Sequence, residues 1–259
     1  MPHSTAAGES EDHSRYSWVK SDDGSSSMTR QFANFERMFA IVNQVLYGQN
    51  CPYMGASISL QGRNYSSELK PFNISRLHAR ATKAICQTRW KYPTVAARVA
   101  DFNTASYNIE SSEGIESWAE RTVFTICQDG GWLALRERLS RESSLPTLDG
   151  DCCLFYLIVP PEETINPELQ NFDILLHTHH ALIDGSGIRA VVNEFLARLA
   201  DPLPDEEIVW GKETRRLLPA AVVLEKIEGL DSTAMPIERV PGLMDFHKVQ
   251  HPLGMRVLN

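Results

Sequence analysis

The sequence predicts an α/β (α+β) fold, a mixed and mostly antiparallel sheet with helices packed against it. Two apolar runs and one periodic segment carry this reading. Cys152–Val159 (CCLFYLIV) is a continuous apolar run of strand length. Phe172–His180 (FDILLHTHH) follows a turn-rich link, Pro160–Pro167, and reads as its hairpin partner. A tight turn, ALIDGSG, then leads into Ile188, Val191, Val192, Phe195, Leu196 and Leu199, the spacing of an amphipathic helix. At 259 residues, 42% hydrophobic and 22% charged, the chain has the composition of a globular protein and enough length to bury a core.

The remaining elements follow in chain order. Residues 1–28 are serine-rich and polar and are expected to be mostly disordered, with Tyr16 and Trp18 as side chains able to dock on the body. The globular part is expected over 29–202. Phe32, Phe35, Phe39, Val42 and Leu46 recur at spacings of 3, 4, 3 and 4, one face of a helix that Gly48 stops. Ala56–Leu60 alternates and reads as a strand. A second helix is expected from near Ser75 to Trp90, with Leu77, Ala81, Ala84, Ile85 and Thr88 inward and Pro93 ending it. Val95–Phe102 reads as a strand and Tyr107–Ile109 as the end of its partner. Glu113–Thr125 and Trp132–Leu139 have helical spacing, and Ser140–Asp151 reads as a polar loop. On the second apolar strand, Phe172, Ile174, Leu176, Thr178 and His180 share one face; Asp173, Leu175, His177 and His179 share the other. Pro202 and Pro204 end the last helix. Residues 203–259 are proline-punctuated, without a strong period.

Composition narrows the function. Lys and Arg number 25 against 33 Asp and Glu, a net charge of −8, which argues against nucleic acid as a partner. No stretch approaches the roughly 18 apolar residues of a membrane span, so no membrane partner is expected. The N-terminal stretch is polar and acidic, unlike a secretory or transit signal. The five cysteines, Cys51, Cys86, Cys127, Cys152 and Cys153, are odd in number and form no CxxC pair. Free thiols in a reducing, cytoplasmic setting are expected. GxSxG, P-loop, GxGxxG and HExxH patterns are missing from the sequence.

One motif carries chemistry. His179-His180, three residues, then Asp184-Gly185 lies between an apolar strand and an amphipathic helix. A histidine where a strand gives way to a turn offers its imidazole to a cleft without full burial. With a free pKa near ~6.5, a neutral imidazole can accept a proton from a hydroxyl or amine that attacks a carbonyl. Asp184 can fix the turn through a cation or a backbone donor, and Gly185 keeps the approach open.

HHxxxDG in this setting resembles the signature of the chloramphenicol acetyltransferase-like superfamily, which includes the plant acyl-CoA-dependent acyltransferases and the condensation domains of peptide synthetases. Arg89–Val99 (RWKYPTVAARV), the SYNIES and ESWAERT stretches and Trp210–Ala220 (WGKETRRLLPA) are similar to fungal acyltransferases of the trichothecene 15-O-acetyltransferase type. The resemblance runs from about Trp18 onward. It implies that His180 is the general base, acting through Nε2, and that His179 and Asp184 are structural. Gly185 would keep the substrate channel open. The implied reaction moves an acyl group from acyl-CoA, with acetyl-CoA the expected donor, to a small-molecule alcohol. The acceptor would be a fungal secondary metabolite such as a trichothecene-like sesquiterpenoid. No metal and no covalent acyl-enzyme are implied, and no CoA-contacting residue is identified.

The chain also departs from that pattern. It has no DFGWG, Asp245-Phe246-His247-Lys248 is no substitute, and Asn259 falls about where a second lobe is expected to begin. One lobe of a two-lobe fold is therefore expected, with 203–259 as a crossover segment. Either the chain is a truncated half, inactive or binding-only, or it self-associates to complete its site. Acyl transfer from a carrier protein, as in condensation domains, is a further alternative. Val222, Val223, Leu224, Ile227 and Leu230 are candidates for apolar surface left exposed, in a C-terminal region expected to be poorly ordered. Competing readings are plainer. His180 would be a hydrogen-bonded strand-end histidine. His177 and His179, spaced like zinc ligands, lack further ligands nearby. Trp90, Trp118, Trp132 and Trp210 read as packing residues. Lys212, Arg215 and Arg216 read as a solvated helix face rather than a CoA phosphate site.

Overall fold

A computed structural model describes residues 13–21, 24–48, 50–60, 73–142, 145–164, 169–220, 223 and 255–258. Two sheets organise the chain. The larger has the strand order β6-β7-β8-β3-β9, with β3 Tyr53–Leu60, β6 Val123–Cys127, β7 Cys153–Val159, β8 Asn171–Thr178 and β9 Met255–Leu258. The smaller is β1-β2-β5-β4, with β1 Val19–Lys20, β2 Ser27–Gln31, β4 Arg98–Asp101 and β5 Thr104–Asn108. All pairings are antiparallel except β6 with β7. This is the mixed α/β architecture the sequence predicts.

β7 and β8 form the expected hairpin, in a register that sets Cys153 opposite Thr178 and Leu154 opposite His177. Every residue of β7 is buried because both faces of the sheet are covered. On one face β8 contributes Phe172, Ile174 and Leu176 to a core built with helices α2 (Ile74–Lys91), α3 (Ser112–Thr122) and α5 (Gly185–Ala200). On the other, Leu175 joins Leu135 of α4 (Gly131–Glu142), Leu145, Leu154, Tyr156 and Ile158. The two-residue alternation of the strand thus divides its side chains between two cores.

Helix α2 starts at Asn73, whose side chain accepts from the Arg76 N–H at 3.0 Å. It ends before Tyr92-Pro93, where a following proline disfavours helical backbone. The five residues read as its inward face are all buried. Two expectations require correction. The helix expected over Glu113–Thr125 stops at Thr122, and Val123–Cys127 becomes β6, parallel to β7. Val123, Phe124, Thr125 and Ile126 are β-branched or aromatic, and pairing along the apolar β7 outweighs a weak helical period. The strand expected from Val95 starts only at Arg98, because Pro93–Ala96 forms a 3-10 turn.

Of the N-terminal stretch expected to be disordered, residues 1–12 lie outside the described residues. Residues 13–21 and 24–28 do carry structure: a 3-10 turn at His13–Tyr16, then β1 paired with β2. The Trp18 side chain and the Tyr16 backbone hold it. The Trp18 indole donates to the Leu218 carbonyl at 2.9 Å, and the Ala220 N–H donates to the Tyr16 carbonyl at 3.1 Å. Together these bonds tie the first described residues to the Leu218–Ala220 segment.

Helix α1 spans Asn34–Val45. Glu36 reaches back to the Ala33 N–H at 2.9 Å and takes a two-pronged ion pair from the buried Arg30, at 2.7 Å on each oxygen. Further along, buried Asn43 donates to the Leu145 carbonyl at 2.6 Å and accepts from the Cys51 thiol at 3.1 Å. The apolar stripe read from the sequence is not all inward. Phe35 is 76% exposed, Val45 68% and Tyr47 84%, and Met38, Ile41 and Leu46 are exposed with them. Among the candidates for exposed apolar surface, Val223 is half-buried, while 222, 224, 227 and 230 lie outside the described residues.

Candidate active site

The end of β8 sets the position of the motif. The Thr178 N–H donates to the Pro52 carbonyl at 3.1 Å, and the His179 N–H donates to the Cys152 carbonyl at 2.8 Å, the last bonds of the sheet. The chain then turns. The His179 carbonyl accepts from Leu182 N–H at 3.0 Å and Ile183 N–H at 3.2 Å. Ala181 is buried in a small cluster with Phe32, Ala40 and Ala105, against which Trp18, Phe39, Val99 and Leu182 pack. The turn is therefore wedged between α1 and the smaller sheet. Asp184 ends it as the N-cap of α5, its Oδ1 accepting from the Gly187 N–H at 2.7 Å. A Cβ placed at Gly185 would meet open space.

Three histidines in four residues meet three environments. His177 is fully buried and stacked on Tyr53, centroids 4.3 Å apart and planes 12° apart. Burial drives its pKa down to about 3, with neighbouring His179 adding to the effect. His179 is buried as well. Its Nδ1 accepts from the Ala181 N–H at 3.2 Å, so its proton sits on Nε2. Burial first, then His180, lowers its pKa to about 4. Both rings are neutral at physiological pH. His180 alone is partly exposed. Its pKa also lies below the ordinary imidazole value, through burial, while Asp184 and a backbone hydrogen bond at Asn50 oppose the shift.

The structure brings His179, His180, Asp184 and Gly185 into one turn. It adds one partner that the motif does not name, the Phe39 ring, stacked on His180 with centroids 3.7 Å apart and planes at 19°. Phe39 is visible in the sequence only as one apolar position on α1. Among the described residues, no group of three or more His, Cys, Asp or Glu is placed to hold a metal ion. The cysteines are free; Cys51, Cys152 and Cys153 are buried. Burial pushes the Cys51 and Cys152 thiols up to about 12, which keeps them protonated at neutral pH.

Of the basic residues after Trp210, Lys212, Arg215 and Arg216 are all exposed, and the Arg216 guanidinium also lies 4.1 Å from the Trp90 ring centroid and donates to the Trp90 carbonyl at 3.3 Å. The tryptophans pack: Trp90 meets Trp210 edge-on at 5.7 Å, and Trp118 is buried. A cleft of about 370 Å³, lined by Asp129, Trp132, Glu162 and Asp173 among others, contains none of the motif residues.

The HHxxxDG turn thus lies between a sheet strand and a capped helix. The chain belongs to the 15-O-acetyltransferase Tri3 family, whose model matches residues 12–237. Acetyltransferase pigO of Monascus ruber is 26% identical over 159 residues, covering 60% of this chain and 29% of pigO. The structure of trichothecene 15-O-acetyltransferase TRI3 from Fusarium sporotrichioides superposes with a TM-score of 0.67 at 18% identity, over 86% of this chain and 46% of that one. At that identity the likeness concerns the fold. The chain spans less than half the length of these two relatives. Among the described residues, no helix is long and apolar enough to cross a membrane.

Proposed function

We propose that the chain is an acyl-CoA-dependent O-acyltransferase, with acetyl-CoA as donor and a hydroxyl of a fungal secondary metabolite, a trichothecene-like sesquiterpenoid, as acceptor. One observation carries the proposal within the family match. Of the three clustered histidines, two are buried and neutral, and His180 alone keeps both exposure and the means to gain a proton. His180 Nε2 takes the proton of the acceptor hydroxyl as its oxygen adds to the thioester carbonyl. The tetrahedral oxyanion collapses, the C–S bond breaks, and the thiolate recovers that proton from the imidazolium to leave as CoA. The products are an ester and free thiol, with no covalent enzyme intermediate. His179 holds the turn through its backbone carbonyl and its ring, Asp184 caps α5, and Gly185 leaves room for substrate.

The test is incubation of the purified chain with labelled acetyl-CoA and a panel of hydroxylated sesquiterpenes. Appearance of labelled ester with matching release of CoA thiol supports the proposal. Hydrolysis alone, or ester formed only from an acyl-carrier donor, contradicts it. Saturable binding of acetyl-CoA or acceptor by calorimetry, with no ester formed, would instead mean a chain that binds without turnover. Self-association is proposed from the exposed apolar residues of α1, and sedimentation across a concentration series tests it.

A further inference from the structure

We propose that Phe39 is a positioning residue for His180, setting the plane of the imidazole and the edge it presents to substrate. This rests on the reading of His180 as the base. The two rings face each other nearly parallel, at 3.7 Å and 19°. A ring covered on one face can act only through its edge, where both nitrogens lie. The Asn50 backbone and Asp184 both favour the charged form of the imidazole. A neutral imidazole keeps one unprotonated nitrogen on that edge, which is what a base requires. Phe39 therefore fixes the plane in which that nitrogen lies.

His180 follows the last sheet bonds, in a turn whose backbone is held at the His179 carbonyl, and its neighbour Asp184 spends Oδ1 on the Gly187 N–H. Phe39, in contrast, stands on a helix anchored twice, by Arg30 with Glu36 and by Asn43 with Leu145 and Cys51. Helix α1 offers the uncharged Phe39 ring, the strand end offers neutral His179, the turn offers Asp184, and the loop offers the Asn50 backbone. Removing the Phe39 ring admits water to one face of His180 while both groups that favour its protonation stay in place.

The experiment is a pH titration of the histidine ring signals of the intact chain by heteronuclear NMR, in the unsubstituted protein and in Phe39→Ala, Phe39→Leu and Phe39→Tyr. In Phe39→Ala and Phe39→Leu the His180 midpoint moves up toward the ordinary imidazole value, and in Phe39→Tyr it stays. The His177 and His179 signals stay in all three, which also reports an intact fold. In turnover, Phe39→Ala lowers kcat by about 10- to 100-fold, the scale expected when a reacting group is misplaced, with KM for acyl-CoA unchanged, and Phe39→Tyr restores it. An unmoved His180 midpoint in both Phe39→Ala and Phe39→Leu overturns the positioning role, whatever the turnover. A moved midpoint in a chain that transfers no acyl group supports the positioning role and counts against the acyltransferase reading alone.

Discussion

His177 and Tyr53 stand directly opposite each other across the β8–β3 ladder, and their rings are stacked. The pair seals the sheet beneath the motif turn, and it keeps His177 neutral at a cost that appears in acid. The unfolded chain takes up protons on both His177 and His179 near pH 6.5, whereas the folded chain resists until about 4 for His179 and about 3 for His177. The unfolded state thus binds more protons throughout that window. Stability is fully present above pH 6.5 and falls as the pH drops toward 3, by up to about 1.4 kcal/mol per pH unit for each histidine. Urea unfolding at a series of pH values measures this slope. His177→Phe, which keeps the stack, should remove one histidine's share of it.

Asp184 should matter to the turn more as an acceptor than as a charge. Asp184→Ala loses the cap on α5 and should cost about 1 kcal/mol, while Asp184→Asn keeps an acceptor oxygen and most of that stability. Urea midpoints of the two variants compare them directly. Equal losses in both would mean that charge, not the cap, is what Asp184 contributes.

Gly55 should tolerate no side chain. A Cβ there would lie 2.2 Å from the Trp132 ring, which rests against the β3 backbone. Gly55→Ala should lower stability by about 1–3 kcal/mol, the usual range for overpacking. The double variant with Trp132→Ala should be less destabilised than the sum of the two single changes. Thermal unfolding of all four proteins gives the coupling.

Arg89 is a fully buried charge with several partners. It donates to Glu110 at 2.8 Å, to the Tyr107 hydroxyl at 3.2 Å and to the Asn108 carbonyl at 3.2 Å, and Tyr107 in turn donates to Glu213 at 3.0 Å. The network joins α2 and β5 to the WGKETRR segment. Arg89→Ala strands its partners and should cost about 3–5 kcal/mol. Arg89→Lys should recover only part, because one ammonium cannot replace three separated donors.

What the sequence made legible was whatever one periodic segment could announce. The β7–β8 hairpin, helix α2 with its inward face, and the strand–turn–helix around His179, His180 and Asp184 follow from local patterns. β6 was hidden because Val123 and Ile126 fit a helical continuation as well as a strand, and only the neighbouring β7 decides between them. The structure of residues 13–21 and 24–28 was hidden because it depends on Trp18 and the Tyr16 backbone meeting Leu218 and Ala220, some 200 residues away. Phe39 read as one more apolar residue on α1 for the same reason: its stack with His180 joins two distant parts of the chain. Spacing identified which motif residues share the turn, and burial distinguishes His177 and His179 from His180.

The central claim is that His180 performs the proton transfer while His179 holds the turn. It is tested most directly by acetyl transfer from labelled acetyl-CoA to a hydroxylated sesquiterpene, measured for the unsubstituted chain, His180→Ala and His179→Ala, with urea unfolding of each protein alongside. The account predicts that His180→Ala abolishes ester formation at nearly unchanged stability. It predicts that His179→Ala lowers stability more than it lowers the rate per folded molecule. Ester formation retained in a folded His180→Ala protein would contradict it.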